Sequence, residues 1–277
     1  MANITVLGLG IIGGTWAGHY REDGHTVRTW NRTPKAEEPG FFPDACQAVE
    51  EADVVHLCLA GPPSVSDVLN SIKPALKPGR LVIQSSTISP RAAQSFEALV
   101  TATGAAYLEA PFTGSKPAAE ARQLVFFTGG EDSIIERARG VLTPLSRLLI
   151  PFSSPAKAAA IKLSMNLQIA AISQALSEGY HLARQHGISS DDFFNVLDHN
   201  VAKSGLADLK REKLKNQDYR PQFSIKHMSK DLKLALEASE GLPLRLTETV
   251  AETYAIGLEE GWGDLDFIAL EQLIASA

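Results

Sequence analysis

The hexapeptide Gly8-Leu9-Gly10-Ile11-Ile12-Gly13 follows directly on the β-rich run Ile4 to Leu7 and precedes a helical stretch. In that setting Gly8 permits a tight turn, Gly10 lets backbone approach a pyrophosphate, and Gly13 lets helix and strand pack closely. The helix N-terminus then supplies N–H donors and a favourable dipole. A second stretch, Trp30-Asn31-Arg32-Thr33, closes the next strand-like run. An acidic residue there would bind a ribose 2′-hydroxyl, whereas Arg32 offers a planar cationic fork for a 2′-phosphate and Thr33 adds a hydroxyl, so NADP is the expected dinucleotide. A third candidate is Lys162, four residues before Asn166 in a helical stretch, a spacing that puts both side chains on one face. Hydride delivery to an aldehyde carbon builds negative charge on oxygen, and an ammonium beside that oxygen would lower the barrier. The neighbours Ile161 and Leu163 are apolar, and periodicity alone does not separate this reading from an exposed helical lysine.

Such groups need elements to hold them. Short apolar runs alternate with helical stretches through the first half of the chain, the pattern of a parallel sheet covered by helices. The strands read as Ile4 to Leu7, Thr26 to Trp30, Val54 to Leu59, Leu81 to Ser85, Ala106 to Glu109, Leu124 to Thr128 and Leu148 to Phe152. From Pro155 the strand signal disappears, and proline suits a first helical turn, where its missing N–H is not needed. Apolar residues at Ile161, Met165, Ile169, Ile172, Leu176 and Tyr180 then predict one long helix ending before Gly187. Further helices are expected over Ser190 to Asn200, Gly205 to Lys215, Lys230 to Ser239, Thr247 to Glu260 and Leu265 to Ala275. The expected fold is α/β: a doubly wound Rossmann domain over 1–154, then a long interdomain helix and an all-α domain over 155–277.

Several separated motifs fall in one order along nearly the whole chain: the glycine loop with Asn31-Arg32-Thr33; Ser86-Thr87-Ile88-Ser89-Pro90; Glu109-Ala110-Pro111-Phe112-Thr113-Gly114-Ser115; Lys162 with Asn166; and Lys230-Asp231-Leu232. Together they resemble the β-hydroxyacid dehydrogenases. The continuation Gly114-Ser115-Lys116-Pro117-Ala118-Ala119-Glu120 is closer to the glyoxylate/succinic semialdehyde reductase branch than to the 3-hydroxyisobutyrate branch. The resemblance implies that Lys162 is the general acid, assisted by Asn166. It places Leu9, Ile11, Ile12, Leu59, Thr87 and Lys230 with the glycines, Asn31, Arg32 and Thr33 against NADP. It places Thr113, Gly114 and Ser115 on the substrate, with Thr87 between substrate and nicotinamide, Phe223 shaping the pocket and Asp231 facing the substrate. The loop at Thr113 and Gly114 offers a hydroxyl and backbone N–H groups, donors suited to a small carboxylate. Lys230 and Asp231 also read as surface charges at a helix start. Gln84 stands where the family usually has an acidic residue, Thr113 where serine is usual, and Ala156 and Ala158 where glycines commonly precede the lysine.

Composition excludes other classes. The chain has 277 residues, 26 basic against 32 acidic, and no run of like charge that suggests nucleic acid or a polybasic membrane anchor. A strand begins almost at once, with no apolar stretch that spans a bilayer, so a cytoplasmic protein is expected. Cys46 and Cys58 are read as reduced thiols, and seven histidines without clustering give no metal site. The expected partner is a small aldehyde or hydroxy acid. Leu232, Leu234, Leu236, Leu242, Leu244 and Leu246 offer apolar surface for a homodimer or homotetramer. Rival readings are an imine reductase-like enzyme, whose proton donor is usually Asp or Tyr at the lysine position, and a non-catalytic NADP-binding sensor.

Overall fold

The computed structural model describes residues 1–275. Two compact units divide the chain between Leu163 and Ser164. The first contains one eight-stranded sheet of β1 (Asn3–Leu7), β2 (Thr26–Trp30), β3 (Val54–Leu57), β4 (Leu81–Gln84), β5 (Ala106–Glu109), β6 (Phe112–Thr113), β7 (Leu124–Gly129) and β8 (Ser146–Phe152). Its order is β2-β1-β3-β4-β5-β7-β6, with β8 paired to β7. The strands from β2 to β5 are parallel, β7 runs antiparallel to β5 and β6, and β8 is parallel to β7. The period of two sorts Ile4, Val6, Leu81 and Ile83 to one core with Trp16 and Tyr20, and Leu7, Val55, Leu57 and Val82 to the other. Burial on both faces is why these runs read as almost continuously apolar.

The connecting helices are α1 (Ile11–Glu22), α2 (Ala45–Val49), α3 (Pro62–Ile72), α4 (Pro90–Thr101), α5 (Lys116–Glu120) and α6 (Asp132–Leu142). Their starts follow capping chemistry: the Asp44 carboxylate accepts Gln47 N–H at 2.8 Å, and the Ser89 hydroxyl accepts Ala92 N–H at 3.2 Å ahead of Pro90. The doubly wound domain is as the sequence indicates. Strand β3 ends two residues earlier than expected because the Leu59 N–H leaves the ladder to donate to Ser86 Oγ at 2.7 Å. Strand β6 was not anticipated; two residues between Pro111 and Gly114 are too short for a periodic signal.

Helix α7 (Pro155–Gln185) is continuous, and the division between the units falls within it. The second unit adds α8 (Ser190–Asp198), α9 (Gly205–Asn216), α10 (Ile225–Glu237), α11 (Arg245–Glu259), a 3-10 turn at Phe267–Glu271 and α12 (Gln272–Ala275). Ile225, Met228, Leu232, Val250, Tyr254, Phe267 and Leu270 form its main core. Helix α10 begins five residues ahead of Lys230, so Lys230 and Asp231 do not stand at a helix start. The final stretch opens as a 3-10 turn because the Asp266 carboxylate accepts the Ile268 N–H at 3.2 Å. Of the C-terminal leucines, Leu232 and Leu234 are buried within the unit, whereas Leu242 and Leu246 are exposed.

Candidate active site

The carboxyl ends of β1, β3, β4 and β5 share one edge, and the strand order reverses at β1, the place where open α/β sheets take a nucleotide. Gly8 leaves β1 with φ +104°, and a Cβ there would lie 2.3 Å from Cys58 O. A Cβ on Gly13 would meet Gly8 O at 2.0 Å, so both glycines are required by the fold itself. Gly10 differs: it is exposed, has ordinary φ, and a Cβ would meet nothing within 4 Å. No protein atom demands glycine there, which fits a loop that leaves room for a pyrophosphate against bare backbone. Ile11, at the start of α1, is an exposed apolar side chain at the same mouth, while Leu9 is buried and Ile12 packs partly against the core.

The exit of β2 braces this loop. Asn31 Oδ1 accepts Leu9 N–H at 2.9 Å, Asn31 Nδ2 donates to Thr33 O at 2.8 Å, and Lys35 Nζ donates to Leu9 O at 2.6 Å. Lys35 was missed in the sequence, where no spacing rule points to it. Arg32 is exposed and makes no hydrogen bond or ion pair with the described residues, which leaves its fork open to a ligand. The residues present therefore fit a dinucleotide, and none of Asn31, Arg32 and Thr33 at the exit of β2 is a carboxylate.

The next two strand ends are tied together by buried polar groups whose pairing no sequence spacing reveals. Gln84, at the end of β4, donates from Nε2 to Ser86 O at 2.9 Å and accepts Ser86 N–H on Oε1 at 2.6 Å. The same Nε2 donates to Glu109 Oε1 at 2.9 Å, and Tyr107 Oη donates to Glu109 Oε2 at 2.6 Å. Burial pushes the Glu109 carboxyl up to about 8, against the opposing hydrogen bonds from Tyr107 and Gln84. Ser85 Oγ meets His56 Nε2 at 2.9 Å, and burial pushes His56 down to about 3, so its ring is neutral. Thr87 is half-buried just beyond this turn.

Beyond β5, β6 places Thr113 opposite Val125 of β7, and Gly114 turns out with φ +119° against Leu124 and Ala118. Ser115 caps α5 by position, and Lys116 is exposed and paired loosely with Glu120 at 3.7 Å. Lys162, half-buried on α7, holds its Nζ 5.9 Å from the centroid of the Phe112 ring. Phe112 is itself wedged edge-on against Trp16 at 5.2 Å and tilted against Phe126 at 5.8 Å. The ammonium thus belongs to the first unit and is gathered beside the Phe112-Thr113-Gly114 segment.

The second unit gathers a polar group of its own. Asn166 Nδ2 donates to Asp231 Oδ2 at 2.5 Å, and Lys230 Nζ pairs with Asp231 Oδ1 at 2.7 Å; Asn166 and Asp231 are almost fully buried. Phe223 is stacked on His227 with centroids 6.0 Å apart and edge-on to Phe267. A buried ion pair fixes its backbone: Asp266 accepts Lys210 Nζ at 2.7 Å, Gln222 N–H at 2.8 Å and Phe223 N–H at 3.4 Å. No group of three or more His, Cys, Asp or Glu that could hold a metal ion occurs among the described residues. No helix among them is long and apolar enough to cross a membrane.

A glycine loop at a sheet switch point, joined to a helical unit through one long helix, defines a nicotinamide-dependent oxidoreductase. Residues 3–154 match the NAD-binding domain of 6-phosphogluconate dehydrogenase, and residues 156–274 match the NAD-binding domain of NADP-dependent 3-hydroxyisobutyrate dehydrogenase. A solved structure of Mycobacterium tuberculosis 3-hydroxyisobutyrate dehydrogenase with L-serine is 31% identical over 99% of both chains, with a TM-score of 0.89. Glyoxylate/succinic semialdehyde reductase 2 of Arabidopsis thaliana is 28% identical over 99% of this chain and 80% of its own. An imine reductase from a Pseudomonas species, 19% identical over 99% of both chains with a TM-score of 0.65, shares the fold. The chain belongs to the β-hydroxyacid dehydrogenase family of the 3-hydroxyisobutyrate dehydrogenase type. It is an NAD(P)-dependent oxidoreductase, as the motifs indicated.

Proposed function

We propose that this dehydrogenase uses NADPH to reduce a small aldehyde acid of the glyoxylate or succinic semialdehyde type to the hydroxy acid, with Lys162 as the general acid. The observation that carries this reading is the Lys162 ammonium gathered over Phe112, one residue before the Thr113-Gly114 segment. When bound, the reduced nicotinamide supplies the hydride. Lys162 then gives a proton to the oxygen on which negative charge builds, and takes it back in the reverse direction. The Thr113 hydroxyl and the backbone at Gly114 and Ser115 hold the carboxylate, with Thr87 beside the reacting carbon. By resemblance to the family, Asn166, held by Asp231, is assigned to the substrate oxygen, Phe223 to the wall of the pocket and Lys230 to the cofactor. Arg32 and Thr33 take the 2′-phosphate, and the bidentate geometry of a guanidinium suits that group better than an amine would. The exposed Leu242 and Leu246 support self-association into a dimer or tetramer, read by sedimentation equilibrium.

The experiment follows NADPH oxidation at 340 nm with glyoxylate, succinic semialdehyde, methylmalonate semialdehyde and a cyclic imine in parallel. An aldehyde acid is expected to be turned over fastest, and turnover of the imine alone would replace the proposal with the imine reductase reading. Lys162→Ala is expected to bind NADPH nearly as the parent does and to lose about 10²- to 10⁴-fold in kcat. Retention of most of the turnover by that variant would remove Lys162 from the chemistry.

A further inference from the structure

We propose that Gln84 is a positioning residue for the reaction: its side-chain amide clamps the Ser85-Ser86-Thr87 turn from below and anchors that turn to Glu109 on the neighbouring strand. This rests on the reading of Thr87 as a group beside the reacting carbon. Gln84 is fully buried, and every polar capacity used is matched. Both Nε2 hydrogens are committed, one to Ser86 O and one to Glu109 Oε1, each at 2.9 Å. Oε1 accepts the Ser86 N–H at 2.6 Å. The turn is also held from the other side, because Leu59 N–H donates to Ser86 Oγ at 2.7 Å and His56 Nε2 meets Ser85 Oγ at 2.9 Å. Side chains and backbone from the ends of β3, β4 and β5 thereby fix one two-residue step of backbone immediately ahead of Thr87.

Only an amide completes this set. A carboxylic acid at position 84 has one hydrogen where two acceptors wait, and a carboxylate has none, so it would face Ser86 O and Glu109 with lone pairs alone. The acidic residue usual in the family would therefore put two carboxyl groups in one buried place, and ionising either would open the clamp. Gln84 removes that dependence from this chain. The titratable groups around the clamp are Glu109 and Tyr107 on β5, Glu97 on α4 acting on Tyr107, and His56 on β3, held neutral by burial. Of these, Glu109 is the carboxyl that burial raises to about 8, and the amide serves it whether or not it is ionised.

The test is the pH profile of Gln84→Glu beside the parent, with the best aldehyde acid from the screen. At pH 6 the variant is expected to retain turnover within about tenfold, and by pH 8.5 to have lost at least a further tenfold that the parent does not lose. Such a loss suits a reacting group displaced by a fraction of an ångström. NADPH affinity, followed by nucleotide fluorescence, is expected to stay within threefold. A profile superimposable on that of the parent overturns the proposal, and so does a raised NADPH Kd with unchanged kcat, which would give Gln84 to cofactor binding instead. Should the glutamate variant unfold above pH 7, Gln84→Met keeps the length without a charge. Its kcat is expected to fall about tenfold with a profile parallel to the parent, and parental kcat in that variant overturns the clamp. Lys162→Ala run in the same series keeps the two ideas apart, since its retention of turnover would sink the acid assignment and leave the Gln84 outcome readable.

Discussion

The carboxyl edge of the sheet and the helical unit position their polar groups by different means. Along the sheet edge, backbone sets the frame that side chains then brace: Gly8 and Gly13 fit where a Cβ would strike a carbonyl, and parallel register aligns the exits of β1, β3, β4 and β5. In the helical unit, side chains far apart in sequence place one another, as with Asn166 on Asp231, 65 residues away, and Lys210 on Asp266, 56 residues away. A backbone site tolerates change at surface positions and fails at a few glycines, whereas a site made of buried charge pairs fails wherever one partner is removed. The two regions should therefore separate under mutation.

The largest expected difference comes from Lys210→Met. It leaves the Asp266 carboxylate fully buried with no counter-charge, and the loss of stability should be about 3–5 kcal/mol, seen in the urea midpoint of the helical signal. The preference for NADPH over NADH in the protein that remains folded should be unchanged, because Lys210 belongs to the second unit and Arg32, which is assigned that choice, to the first. A loss below about 1 kcal/mol would show that the pair is not what holds the unit, and the contrast between the regions would weaken.

Arg32→Ala gives the next largest effect and acts on the sheet edge alone. Removing a charge-assisted fork should weaken NADPH by roughly ten- to a hundredfold with the NADH affinity and the melting temperature unmoved, since Arg32 supports no other described residue. Equal use of NADH and NADPH by the parent enzyme would contradict the 2′-phosphate assignment before any variant is made.

The same division explains what could be read from sequence. Seven of the eight strands announce themselves as apolar runs between glycines and prolines, and the glycine loop has its meaning from standing between a strand and a helix. The second unit was legible as helices but not as a network. Lys210-Arg211-Glu212-Lys213 reads as a solvated charged face, yet Lys210 is fully buried with its ammonium 4.3 Å from the Phe267 ring centroid. Nothing in local spacing distinguishes it from Arg211, because the partner Asp266 lies beyond another two helices. Likewise the sequence pattern predicts α10 from Lys230, five residues beyond its start at Ile225, where the N-cap Ser224 makes no side-chain cap bond. Resemblance, rather than periodicity, singled out Asp231 and gave the spacing of Lys162 and Asn166 its meaning.

The smallest effect, read per unit of pH, sharpens the sheet-edge side of the comparison through Glu109. Its carboxyl is fully buried and its pKa in the folded protein is raised to about 8, against 4.5 for an ordinary glutamate. Between those values the folded chain keeps a proton that the unfolded chain has released, so stability present below pH 4.5 declines as pH rises and levels off above pH 8. The slope should be on the order of 1 kcal/mol per pH unit within that window. Glu109→Gln imitates the protonated form: its carbonyl accepts from Gln84 and its amide donates to the Tyr107 oxygen, so the variant should fold well and show a flatter profile across the window. Urea titrations at pH 5, 6.5 and 8 distinguish the two proteins. An unchanged slope in the variant would mean that Glu109 is ionised throughout and that the sheet edge, like the helical unit, depends on a buried charge.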